Sequence, residues 1–373
     1  MKTPVYIPIL RLRQEEKKVL TSFDFGEDIY PYVEIFKEFE RLPPKPKPGA
    51  KAKKAREPKR FPDVYLPTLR SINSDKVFVD LPVHLKLSTK MKKEVIEFLR
   101  GVIGNRQVRT DYLLSLSPLS DKIIPVISTY AQRTGEPNSI RIQEADLRST
   151  FGILAFRTSE LTFFNDISQI AAIAQKDDYL FVDLEDYNPM VQEELEMIED
   201  MLDHLKTFDK CNVVLIRSAI QNTIKNFELD HGACLSIVDN SLMNVFENFA
   251  AGSFADYAGI KKDPVTDGGG ISPGFIFYDA VENRFYGFKG SEARELEDFE
   301  YIIVPDVIGS DAASRMQSSR LDYLGAENKG WQIIENIERG RESGKSQAKF
   351  KRISMEHYLH CIKMKILSGY FLP

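Results

Sequence analysis

The sequence predicts an α/β fold: a closed (β/α)8 barrel with an α+β C-terminal extension. Three observations lead there. Eight short runs rich in branched and aromatic apolar residues recur over the first 240 positions, helix-length segments separate most of them, and nearly every run ends on a polar or charged residue. Continuous apolar runs of this kind suit parallel strands buried on both faces. In a barrel the C-terminal strand ends share one mouth, so the pattern proposes a fold and a site together. A doubly wound open sheet is the alternative, because strand order cannot be read from one sequence.

In chain order, residues 5–10 lead into Arg11 and Arg13, and residues 29–36 carry Glu34. Residues 76–79 end at Asp80, and residues 123–127 end at Ser128 and Thr129. Residues 151–156 end at Arg157, and residues 179–182 end at Asp183 and Glu185. Residues 212–216 end at Arg217, and the eighth run, 235–238, ends at Asp239. Helical periodicity fills the gaps. Val95, Ile96, Phe98, Leu99 and Val102 form one stripe. Asn188 as N-cap and Pro189 at the first helical position open a helix running to Leu205. A helix from Ser159 turns Phe163, Ile167 and Ile170 toward the barrel.

The barrel is assigned to residues 1–250 and the extension to 251–373. Residues 251–259 and 267–270 read as loops, and runs 274–279 and 284–288 as a hairpin turning at 280–283. Residues 301–304 suggest one more strand, and helical periods return at 331–337 and 355–367. No linker separates the two parts, so the extension should pack on the barrel.

Composition narrows the class. Apolar content of 43% and charged content of 28% are ordinary for a globular domain. The net charge of −5 argues against a wholly basic nucleic-acid-binding surface. No stretch approaches the roughly 18–20 apolar residues that span a bilayer, and the N-terminus lacks a signal-like region, so a cytoplasmic protein is expected. Three cysteines without a CxxC pair support neither a disulfide framework nor structural zinc; Cys211 and Cys234 read as buried thiols. The insertion at 42–60, LPPKPKPGAKAKKAREPKR, should be an extended, solvated loop on the mouth face. It is either a tolerated insertion or a basic arm that contacts nucleic-acid phosphates.

The strand ends carry the chemistry. Glu34, Asp80, Asp183, Glu185 and Asp239 are the candidate catalytic carboxylates, and converging carboxylates suit Mg2+ or Mn2+. Arg11, Arg13, Arg157 and Arg217, with Asp256 and Tyr257, are the candidate ligand-binding residues; the planar guanidinium fork matches phosphate or carboxylate oxygens. Together they would fit metal-assisted phosphodiester cleavage. The same charges can instead form a ligand-binding rim without catalysis, or an internal ion network, and alternate strand residues point away from the barrel interior. Strand ends without histidine weaken a hydrolase reading, although His84, four residues beyond Asp80, can reach the rim. His204 lies on a helix face, His231 precedes the eighth run, and His357 and His360 share a helix face where packing is favoured over metal binding. The loop 340–346 imitates a phosphate loop, but Arg339 stands where glycine is required. Gly268 to Gly270 are read as punctuation.

The opening YIPILRLRQEEKKVL followed by IYPYVEIF resembles the beta-protein family named from tailed phages. The resemblance extends to FVDLP, IPVIS, SFADYAG, the hairpin ending in FKG, Trp331 and the terminal MEHYLHCIKMKI. This chain has Gln14-Glu15-Glu16 where the family has Gly-Glu, and its terminal histidines are separated by Tyr358 and Leu359 where the family's are adjacent. The resemblance implies a phage- or mobile-element-associated protein, often found near defence genes, with no reaction attached. Two function classes follow. One is a recognition or adaptor protein in phage–host conflict that binds a partner protein, such as an effector encoded nearby, or an anionic ligand at the mouth. The other is a divalent-metal-dependent nuclease.

Overall fold

A computed structural model describes residues 2–38, 59–262, 264–265, 272–291 and 294–371. Eight parallel strands close a barrel. They are β1 (Tyr6–Arg11), β2 (Tyr32–Glu34), β3 (Val77–Asp80), β4 (Ile123–Ser128), β5 (Ala155–Ser159), β6 (Tyr179–Asp183), β7 (Asn212–Ile216) and β8 (Ser253–Asp256). Each pairs with its neighbours in sequence, and β8 pairs with β1 to complete the ring. The expected (β/α)8 barrel is therefore the observed one.

The eighth strand is a correction. Residues 235–238 are not in the barrel: Ala233–Cys234 pairs antiparallel with the C-terminal hairpin, and the Leu235 amide donates to the Phe285 carbonyl at 2.8 Å. The closing strand is SFAD, read from sequence as part of a loop, which carries the barrel past residue 250. Two of its four residues are Ser253 and Ala255, so the apolar run that marks the other strands is missing. Both are fully buried, where a narrow barrel has room for little more.

Side chains alternate across the barrel wall. The inward set forms its own apolar column, including Ile7, Ile9, Tyr32, Phe78, Val126, Phe181 and Ile216. Two residues further along several strands, the same inward face turns polar. The outward set packs under the helices. They include α1 (Gln14–Ser22), α2 (Phe61–Ser71), α3 (Lys93–Gly104), α4 (Arg106–Leu114), α5 (Ser139–Phe151), α6 (Phe163–Ile173) and α7 (Gln192–Leu205). The α6 residues Phe163, Ile167 and Ile170 are buried as expected. Helix α7 starts later than expected, because Asn188 makes a turn with Met190 and binds Asp239 instead of capping the helix. Residue 151 ends α5, so the fifth strand begins only at Ala155.

In the C-terminal part, β9 (Gly274–Asp279) and β10 (Arg284–Lys289) form the expected hairpin. Residues 299–303 form a single π-helical turn, not a strand, with Tyr301 facing solvent. The last long helix, α8 (Gln347–Leu367), buries Phe350, Ile353, Tyr358 and Ile362 in the same apolar cluster that lines the outside of the barrel. Its Ser354 hydroxyl donates to the Ile276 carbonyl at 3.2 Å. Close approach is enforced at Gly259, where φ is +71° and a Cβ would lie 2.6 Å from Tyr358. Among the described residues no helix is long and apolar enough to cross a membrane.

Candidate functional site

Strand register assembles the mouth. Arg11, Glu34 and Asp80 are aligned partners on β1, β2 and β3, and Ser128 faces Arg157 across β4 and β5. Asp183 ends β6 opposite Ser159. All share the parity of the inner apolar column, so they form the polar layer above it.

Arg157 sits at the centre. One of its terminal nitrogens donates to Glu34 at 3.0 Å and the Tyr32 hydroxyl at 3.1 Å, and the other to Asp183 at 2.6 Å. Arg11 holds the second Glu34 oxygen at 2.8 Å. Tyr32 donates to Asp80 at 2.9 Å. Asp80 takes its other bond from Arg109 at 2.8 Å, a fully buried arginine that reaches in from α4. Arg109 also donates to the Leu81 carbonyl and to Gln143, locking three elements together. Lys262 approaches Asp183 at 3.5 Å and lies 5.4 Å from the Tyr257 ring, which also carries Arg11 at 5.5 Å.

The charges respond. Burial alone would raise Glu34, but Arg11, His84 and Arg157 hold its carboxyl well below the usual range. Asp183 behaves likewise under Lys262 and Arg157. Burial lowers His84, Arg157 lowers it further, and Glu34 only partly opposes them. The imidazole is thus held well below its usual value, although its Nε2 lies 3.4 Å from Glu34.

Glu34, Asp80 and His84 have ligand atoms within 4.8 Å of one another, the size of a metal site. The donor set does not fit Mg2+ or Mn2+. Both Glu34 oxygens already hold guanidiniums, and the two Asp80 oxygens hold Arg109 and Tyr32. A hard divalent cation would compete with these ion pairs for the same oxygens and would stand beside three buried arginines.

Parity also decides which strand-end residues stay outside. Arg217 and Asp256 are one position out of phase and point away from the interior. Arg217 donates to the Asp239 carbonyl at 2.7 Å, and Asp239 binds Asn188 and the Ser241 amide. That pair clasps two loops beside the barrel. Asp256 faces the extension, receiving Tyr6 and Tyr358 hydroxyls, each at 2.5 Å, and the Ala258 amide at 2.7 Å. With no cation beside it, burial pushes its carboxyl up to about 6 despite those bonds. Arg13 lies beyond the rim, bonded to the Pro264 carbonyl and against the Phe36 ring. Glu185 is exposed at the cleft edge in a left-handed turn, with φ of 54°.

Above the polar layer opens a cleft of about 710 Å3. Its lining carries six cations (Arg11, Lys86, Lys90, Arg133, Arg157, Lys262) and three acids (Asp183, Glu185, Asp186). Ser128, Thr129, Thr158, Ser159 and Thr162 also line it, with the Thr158 hydroxyl turned toward Asp166. Sequence reasoning missed Tyr32, Arg109 and Lys262. Arg109 had a signal: it shares a helix face with Leu113, and both are buried.

The other expected elements separate from this site. His357 donates to the Tyr278 carbonyl and accepts from Asn328, each at 2.8 Å, while His360 donates to the Asp322 carbonyl. The two rings serve different partners, and burial lowers His357 to about 4. Cys211 and Cys361 are thiols that burial pushes up, Cys211 to about 12. The basic segment 42–60, apart from Lys59 and Arg60, and the glycines 268–270 lie outside the described residues.

A family model described as Beta protein matches residues 6–362 of the chain. No curated protein and no solved structure matches it.

Proposed function

The chain belongs to the Beta protein family, and we propose that its barrel is a recognition module that captures an anionic ligand at the mouth without cutting it. One observation carries this reading: the cleft presents six cations against three acids, while the carboxylates that would hold a catalytic metal are consumed by arginines. Buried guanidiniums fixed by carboxylates are pre-organised, so they present positive potential without reorganising when an anion arrives. Lys86, Lys90 and Arg133 ring the entrance as exposed cations that draw the anion in. The phage–host setting and a partner effector come to this reading from the family resemblance; the cleft supplies the chemistry that such a sensor would use.

The test is calorimetric titration with inorganic phosphate and pyrophosphate. Wild type binds either anion, and K262M weakens binding about tenfold, the scale of one charge-assisted hydrogen bond. Added salt weakens binding further by screening. Unchanged affinity in K262M and in R133Q would overturn the reading. A segment 42–60 that joins in would reveal itself when deletion of residues 43–59 lowers affinity for a nucleic acid but not for phosphate.

A further inference from the structure

The cationic cleft does not end at the barrel mouth. Asn222 and Pro264, in the loops after β7 and β8, border both it and a second cleft of about 460 Å3. That second cleft is walled by these loops, by β9 and by the start of α8. At the shared border Arg13 bonds the Pro264 carbonyl at 2.9 Å.

The described lining of the second cleft carries four cations, Arg13, Lys225, Lys261 and Lys351, and no acid. Lys225 pairs with Glu228 at 2.8 Å, an exposed contact of little worth, while Arg13 and Lys261 donate to backbone carbonyls. Six cations at the mouth and four here make ten, set against the mouth's three acids. The second cleft also holds an exposed aromatic, which the described lining of the mouth lacks. Phe227 is 59% exposed, and the Lys225 Nζ lies 5.3 Å from its ring centre.

These features select among anions. A bare oxyanion fills only part of a run of cations that spans two clefts, and it has nothing to lay on a phenyl face. A duplex keeps its bases stacked on one another and offers that ring none. An acidic peptide matches the cations without a flat ring at every repeat. A single strand supplies a phosphate and an open base face in each unit. Resting on the anion reading above, we propose that the ligand is a single-stranded nucleic acid. Its backbone tracks the cations from the mouth into the second cleft, and a base stacks on Phe227.

The test is a fluorescence-anisotropy titration with a labelled oligothymidylate of about twelve nucleotides, a length within the reach of such grooves. Inorganic phosphate is titrated by calorimetry beside it. Wild type should bind the strand about a hundredfold more tightly than phosphate, through several phosphate contacts and a stacked base. F227A should weaken strand binding about tenfold, the lower end of one base–aromatic stack, and leave phosphate affinity unchanged. F227W, which restores a flat face, should restore strand affinity. Thermal unfolding establishes that each variant is folded. Phosphate binding with no tighter hold on the strand, or strand affinity indifferent to F227A, overturns the nucleic-acid proposal while the anion reading stands. Equal affinity for the same strand annealed to its complement, or for polyglutamate of like charge, overturns it too. Binding of neither phosphate nor strand overturns both readings.

Discussion

Two buried carboxylate sites lie within one barrel end and are handled in opposite ways. Glu34 and Asp183 face inward, are gripped by guanidiniums and Lys262, and stay ionised far into acid. Asp256 faces outward, is met among the described residues by two tyrosine hydroxyls and an amide, and is pushed up to about 6. The first arrangement gathers paired charges at the barrel mouth. The second seals the C-terminal helix onto the barrel. What a strand-end carboxylate does is set by its phase on the strand, and through that by its partners, more than by its identity.

The inward site is most vulnerable at Arg109. R109M leaves Asp80 buried beside an unfilled space, and loss of one partner of a buried pair typically costs about 3–5 kcal/mol. Urea unfolding should detect that loss, and a change under about 1 kcal/mol would mean that the network is not holding the mouth. At the seam, Y358F removes one of the two hydroxyls on Asp256 and should cost about 1–3 kcal/mol, a smaller effect because no formal charge is stranded.

The two sites should also answer pH with opposite signs. Asp256 binds its proton more tightly folded than unfolded, since its usual value of 3.8 rises to about 6. Its contribution is fully present below about pH 4 and is lost as pH climbs through 6, by up to about 3 kcal/mol at roughly 1.4 kcal/mol per unit. Glu34 and Asp183 are depressed, so their contribution is present above their unfolded values of 4.5 and 3.8 and is lost as pH falls below them. Comparing D256N with wild type from pH 4 to 7 isolates the first effect: wild type should lose ground to the variant as pH rises. The smallest effect belongs to Glu185, exposed at the cleft edge. E185Q should change stability by less than about 0.5 kcal/mol.

Most of the barrel was legible because seven strands carry apolar runs that burial on both faces demands. The eighth was hidden because SFAD is half small residues, while residues 235–238 offered a better apolar run for a different purpose. The mouth was legible in part. Arg11, Glu34, Asp80, Arg157 and Asp183 all follow the inward phase, and they converge. Arg217 and Asp239 were grouped with them by position at a run's end, and Asp256 came from a segment read as a loop; register turns Arg217 and Asp256 outward, while the run before Asp239 is not a barrel strand at all. Arg109 and Lys262 come from a helix and a loop, so no strand pattern could reveal them. The arginine grip on Glu34 and Asp80 is likewise a fact of three dimensions.

The proposed preference of the mouth for an anion over a divalent metal is tested by one paired measurement. Thermal unfolding of the wild-type protein is followed with added phosphate and, separately, with added Mn2+ at matched ionic strength. A ligand that binds only the folded state raises the midpoint by mass action. Phosphate should raise the midpoint and Mn2+ should leave it unchanged. A rise with Mn2+, lost in E34Q, with no response to phosphate, would contradict the account.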